Sequence, residues 1–130
     1  GGENARILEY SKSTPFPQSE DEVPWCSFFM NWLMMKTNHE RTGSGLARSW
    51  MGVGTKLPGF RKYCIVVMRR GTSTWQGHVT IGMEDIGGGY IRCLGGNQSD
   101  AVGYANYSKS QVLGFYWPSP LIAPSIHKLG

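Results

Sequence analysis

Three side chains in this chain have the chemistry needed for acyl transfer through a covalent thioester: the thiol of Cys26, the imidazole of His78 and the amide of Asn97. The sulfur would attack a carbonyl, and the imidazole would hold the proton and return it to the leaving amine. The amide would accept a hydrogen bond from the other ring nitrogen and fix the orientation of the ring. Each residue also has a plainer explanation. Free cysteine is among the most buried residue types, a histidine at a strand start is more often a satisfied or surface residue, and an asparagine after Gly95-Gly96 suits a turn. Their coincidence is more specific than any member.

The cysteine must be positioned by the stretch Pro24 to Lys36. Cys26, Phe29, Met30 and Leu33 follow the spacing of one helical face, and Phe28, Trp32 and Met35 form a second apolar stripe. That pattern predicts a helix covered on both faces. Proline just ahead of the first turn suits a helix start, and the acidic run Glu20-Asp21-Glu22 closes the loop before it. A cysteine in the first turn lies near unpaired N–H groups and the positive end of the helix dipole, which favour a thiolate over a thiol.

The histidine must be positioned by a strand. In His78 to Glu84 the residues Val79, Ile81 and Met83 share one face, so His78, Thr80 and Gly82 share the other. Small neighbours on the histidine face leave room for the cysteine helix to pack there. Ile86-Gly87-Gly88-Gly89 predicts a two-residue hairpin turn centred on Gly87 and Gly88. Counting outward pairs Ile86 with Gly89, Met83 with Arg92, Ile81 with Leu94 and His78 with Asn97. Opposed residues share a face, so this register sets the amide beside the imidazole.

Around these elements the pattern is helices first and strands later. Asn4 caps a short helix over Ala5 to Tyr10, and Ser44 caps another over Leu46 to Met51 that Gly52 and Gly54 stop. Beyond Pro58-Gly59 four strands follow: Tyr63 to Met68, His78 to Glu84, Gly89 to Asn97 and Gln111 to Trp117. The order predicts an α+β fold, with helices packed on an antiparallel sheet. At 130 residues the chain suits a single domain, 1–130.

Composition removes several classes of function. No apolar run reaches membrane-spanning length, which argues against membrane insertion, and no secretory signal is visible, as in a mature or trimmed form. The net charge of +4 is scattered, with Arg69-Arg70 the only basic doublet, so nucleic acid is not an expected partner. Three cysteines without a CxxC pair argue against a disulfide scaffold and a zinc ribbon. Cys64 and Cys93 fall in apolar strands and read as core, while His39 and His127 fall in polar or terminal segments.

The segments Asn4-Ala-Arg-Ile-Leu-Glu-Tyr10, Pro24-Trp-Cys26, Gly43-Ser-Gly-Leu-Ala-Arg48-Ser-Trp50, Gly77-His78-Val79 and Leu94-Gly-Gly-Asn97-Gln98 together resemble the NlpC/P60 superfamily of papain-like cysteine peptidases. The resemblance runs from about residue 4 to Pro118, and is strongest to the bacterial and phage branch of small amidases related to CHAP domains. It implies a papain-like fold with the nucleophile on a helix, and Cys26, His78 and Asn97 as the catalytic set. The implied reaction is hydrolysis of amide bonds in the stem peptides or cross-links of peptidoglycan, without metal or other cofactor. The implied setting is the periplasm or cell wall, reached by phage lysis, export or an antibacterial secretion system. A cognate immunity or inhibitor protein is the partner such an effector would have. Two other readings share the fold: a catalytically inactive wall-binding module, and an acyltransferase that passes the acyl group to an amine.

Three further residues are candidates for holding substrate. Trp25 and Trp75 would line a groove beside the sulfur, or else belong to the core. Arg48 would meet a substrate carboxylate with its planar fork, or else tie its short helix to the acidic loop.

Overall fold

The computed structural model describes residues 25–96 and 101–121. One α-helix lies among them, α1 (Trp25–Lys36), followed by a 3-10 helix (Ala47–Gly52) and six strands: β1 (Thr55–Leu57), β2 (Ile65–Arg69), β3 (Gly77–Gly87), β4 (Tyr90–Gly96), β5 (Val102–Ser108) and β6 (Val112–Trp117). All strand pairings are antiparallel, in the order β1-β6-β2-β3-β4-β5. The fold is α+β. The short N-terminal helix expected over Ala5 to Tyr10 lies outside the described residues, as does Asn97.

Helix α1 is buried almost all round its first three turns. Cys26, Phe28, Phe29, Met30 and Met34 pack in one apolar cluster with Trp50, Ile65, Val67, Val79 and Ile81. Its polar residues Ser27 and Asn31 are buried as well, and both are hydrogen-bonded. Asn31 Nδ2 donates to the carbonyl oxygens of Ser27 and Ser44, and Gly43 N–H donates to Asn31 Oδ1. Ser27 Oγ donates to Ser44 O at 2.7 Å and accepts from Trp50 Nε1 at 3.0 Å. Buried polar groups without such partners would cost roughly 1–3 kcal/mol each. The network therefore fixes the helix start against the Gly43–Gly45 loop and the 3-10 helix.

The cross-strand pairs Ile65–Ile81 and Val67–Val79 lie under α1, and the intervening pairs Val66–Thr80 and Met68–His78 face the other way. This overturns the expected placement of the helix on the histidine face. Bulky apolar side chains decide the matter: each one fully buried contributes roughly 1.5–3 kcal/mol, so the helix covers the Val79 and Ile81 face rather than the one with His78, Thr80 and Gly82. A second cluster of Cys64, Val66, Met68, Ile91 and Cys93 fills the histidine face, with Tyr107, Val112, Phe115 and Trp117 packed against it.

The hairpin turn also differs from expectation. Its centre is Gly88-Gly89, both at positive φ, and Gly87 pairs with Tyr90. Irregularities between Gly82 and Glu84 and between Asp85 and Gly87 then shift the register, so that Arg92 faces Glu84 and not Met83. Beyond them Ile81 faces Leu94, as the sequence predicts. Two strands were not anticipated, the three-residue β1 and the outer strand β5.

Candidate active site

Cys26 lies in the first turn of α1, with its sulfur against the backbone that joins His78 to Val79. Only 1% of the residue is exposed. Burial pushes the thiol up to about 11, against hydrogen bonds from the Val79, Ser27 and Cys26 backbone and the positive charge of Arg70, all of which favour the thiolate. The helix terminus thus acts on the sulfur in the direction expected from sequence, but desolvation outweighs it. Cys26 rests as a neutral thiol, contrary to the expected thiolate.

His78 is the second residue of β3, on the far face of the sheet from the body of α1. Its Nε2 lies 2.9 Å from the hydroxyl of Tyr107, and the two rings pack at a centroid distance of 5.3 Å. Nδ1 is buried and has no hydrogen-bond partner among the described residues. Burial, helped by Arg70, lowers the ring to about 4, so the imidazole is neutral near pH 7. Among the described residues the partner of Nε2 is Tyr107, and Asn97, to which the sequence gives the orienting role, lies outside them.

Arg70, directly after β2, acts electrostatically on Cys26, His78 and Tyr107 alike. Neither Tyr107 nor Arg70 was singled out from sequence. The aromatic enrichment of Tyr104 and Tyr107 was a signal for a strand there, since aromatic residues favour pleated structure. Nothing local pointed the phenol at His78.

Arg48 makes contacts that neither sequence alternative anticipated. Its Nε donates to Gln76 O at 2.7 Å and its Nη2 to Ser73 O at 2.6 Å. Two of its donors are spent on the loop that leads into His78, and the acidic segment lies outside the described residues. Ser73 Oγ accepts from the N–H groups of Trp75 and Gln76, which tightens the same loop. Trp75 stands on it 49% exposed, outside the core. Trp25 opens α1, and its side chain lies outside the described residues.

Two surface pockets are described, one of about 330 Å³ beside Arg92 and Tyr104 and one of about 270 Å³ between Leu33, Tyr63 and Trp117. Neither is lined by Cys26 or His78. Among the described residues no group of three or more His, Cys, Asp or Glu side chains is placed to hold a metal ion, and no helix is long and apolar enough to cross a membrane. No family model, curated protein or solved structure matches the chain.

Proposed function

We propose that this chain is a cysteine amidase of papain-like type, related to the NlpC/P60 peptidases, that hydrolyses amide bonds in peptidoglycan stem peptides or cross-links. The observation that carries the reading is the state of His78: one ring nitrogen is held by Tyr107 and the other is buried and has no partner among the described residues, while the Cys26 sulfur lies against the backbone of the next residue, Val79. A structural histidine satisfies both nitrogens, whereas a base needs one nitrogen held and one open.

The chemistry follows from the neutral resting pair. With Nε2–H donating to the Tyr107 hydroxyl, the Nδ1 lone pair is free to accept the thiol proton as the sulfur attacks. Hydrogen bonds between such groups are often loose in a ligand-free enzyme and close when substrate arrives. The attacked amide then becomes a thioester on Cys26, and the imidazolium returns its proton to the leaving amine. Water hydrolyses the thioester with the same ring as base. The backbone N–H groups near the sulfur, from Ser27 and Val79, are in the region where an oxyanion would form.

A second reading draws on the burial of Cys26: an inactive wall-binding module of the same fold keeps its thiol out of solvent. Digestion of purified sacculi followed by mass spectrometry of the released muropeptides tests both. New peptide termini that are absent with Cys26→Ala support the amidase; binding to sacculi without release supports the module; transfer of an added amine onto the peptide would make the protein an acyltransferase.

A further inference from the structure

The two edges of the sheet are built differently. β1, at one end, is three residues long, carries Lys56 in its middle and runs into Pro58. Short length, lysine and proline are ways in which an edge is kept from pairing with another chain. β5, at the other end among the described residues, has none of them. Its seven residues, Val-Gly-Tyr-Ala-Asn-Tyr-Ser, include no charge and no proline, and its register with β4 runs from Ser108–Tyr90 to Val102–Gly96 without a bulge. Lys109, the first residue after it, has its charge paired with Asp85. Val102, Tyr104, Ala105 and Asn106 are exposed. A regular strand with an open edge offers a row of N–H and C=O groups that a further strand can satisfy.

The residues of β5 complement a second copy of themselves. Antiparallel pairing about Ala105 sets Ala105 opposite Ala105, Tyr104 opposite Asn106, Gly103 opposite Tyr107 and Val102 opposite Ser108. Each larger side chain then meets a smaller one, and no like charges meet. Asn106 also lines an open cleft of about 330 Å³ with Glu84, Ile86, Arg92 and Tyr104, in which Arg92 lies 4.5 Å from the centre of the Tyr104 ring of its own chain. The opposed tyrosine of the other copy would stand at the mouth of that cleft. We propose that β5 is a two-fold interface, at which two copies of this chain pair edge to edge about Ala105 into one continuous sheet. Such a contact uses the same patch on both copies, the commonest arrangement in soluble dimers. It concerns assembly and stands apart from the amidase reading.

Sedimentation equilibrium of the full chain tests it. The mass should rise with concentration from 14.4 kDa towards twice that value. Ala105→Lys and Ala105→Glu each set like charges face to face on the two-fold axis, and each should weaken association at least about tenfold. One raises and the other lowers the net charge of +4, so a loss in both does not come from net charge. Mixed one to one, the two variants bring opposite charges together, and association should return. Ala105→Cys serves if the charge variants do not fold, since opposed sulfurs can join under oxidation. Asn106→Cys is its control: the same register leaves those two positions offset by two residues along the strands, beyond disulfide reach, and cross-linking should be at least about tenfold slower. The three native cysteines are buried.

A mass fixed at 14.4 kDa up to about 1 mM, where even a weak complex shows, would overturn the proposal. So would a dimer that both charge variants retain, because it would use another surface. Loss of association in both variants without recovery on mixing, or equal cross-linking of the two cysteine variants, would overturn the pairing about Ala105 and the proposal with it.

Discussion

Tyr107 and His78 meet across two strands that are not neighbours. The phenol comes from β5, where Tyr107 stands opposite Ile91, and the imidazole from the start of β3. Along a flat sheet these two positions would be far apart, yet Oη and Nε2 are 2.9 Å apart. The sheet must therefore curl over its second face, a bend that the two irregularities in β3 support.

If that contact orients the ring, Tyr107→Phe should keep the packing and lose the alignment. We expect kcat on sacculi to fall roughly ten- to a hundredfold, with KM little changed and the fold intact, because misplacement of a catalytic group acts on the chemical step. Asn97→Ala is the comparison. Nε2 is a single site already occupied by Tyr107, so Asn97→Ala should lose less than Tyr107→Phe. The reverse order of losses would return the orienting role to Asn97.

The resting protonation states set the pH dependence of activity. A base with its ring lowered to about 4 stays neutral well below the ordinary histidine value of 6.5. A thiol raised to about 11 stays protonated above the ordinary 9.0. The kcat/KM profile of the free enzyme should therefore be flat from about pH 5 to about pH 9, with its acid limb lower than an exposed histidine would give. An acid limb near 6.5 would show that the working base is solvated, or is another histidine.

The same shift has a consequence for stability. His78 binds a proton more weakly folded than unfolded, so the unfolded chain takes up protons first as pH falls, and stability declines through the window from 6.5 to about 4. The loss attributable to this one group is about 3 kcal/mol once the window is crossed. Denaturant unfolding of wild type and His78→Phe at several pH values isolates it, since carboxylates titrate equally in both. Parallel curves for the two proteins would mean that the ring is not buried as described.

Arg48 gives a test of structural against substrate-binding roles. Arg48→Ala removes two charged hydrogen bonds to the carbonyl oxygens of Ser73 and Gln76, each worth about 1.5–3 kcal/mol where buried and less here because the site is half open. The expected result is a clear fall in Tm with a matching loss of activity, and only partial recovery in Arg48→Lys, which lacks the fork. A raised KM at unchanged Tm would put Arg48 back on the substrate.

The sequence made the cysteine helix, four of the strands and the pairing near Ile81 legible, because these rest on apolar periodicity that packing preserves. The places of Cys26 in the first turn of α1 and of His78 near the start of β3 were legible as well. Tyr107 was not, because β5 is an exposed strand whose residues do not alternate, and because its approach to His78 depends on the curl of the sheet. The packing side of α1 was misjudged for a related reason. Small residues around His78 suggested space, but the apolar Val79 and Ile81 on the opposite face supply the larger burial. The resting thiol was misjudged because a helix terminus is visible in sequence and the depth of burial is not.

Gly77, one residue before His78, is where sequence and site meet most closely. A Cβ there would lie 2.7 Å from the backbone oxygen of Met68 and 3.1 Å from Cγ of Arg48. The first clash is with backbone, which cannot rotate away, so β2, β3 and the 3-10 helix can come together only around a glycine. Gly77→Ala should therefore lower Tm by several degrees, consistent with the roughly 1–3 kcal/mol typical of overpacking, and should also slow turnover by displacing His78. Gly103→Ala is the control, as its Cβ would meet nothing within 4 Å. If both substitutions are silent, the close approach of strand and 3-10 helix behind His78 does not exist in solution. If Gly77→Ala lowers Tm and leaves kcat unchanged, the ring is held by Tyr107 firmly enough to withstand a shift in its own strand.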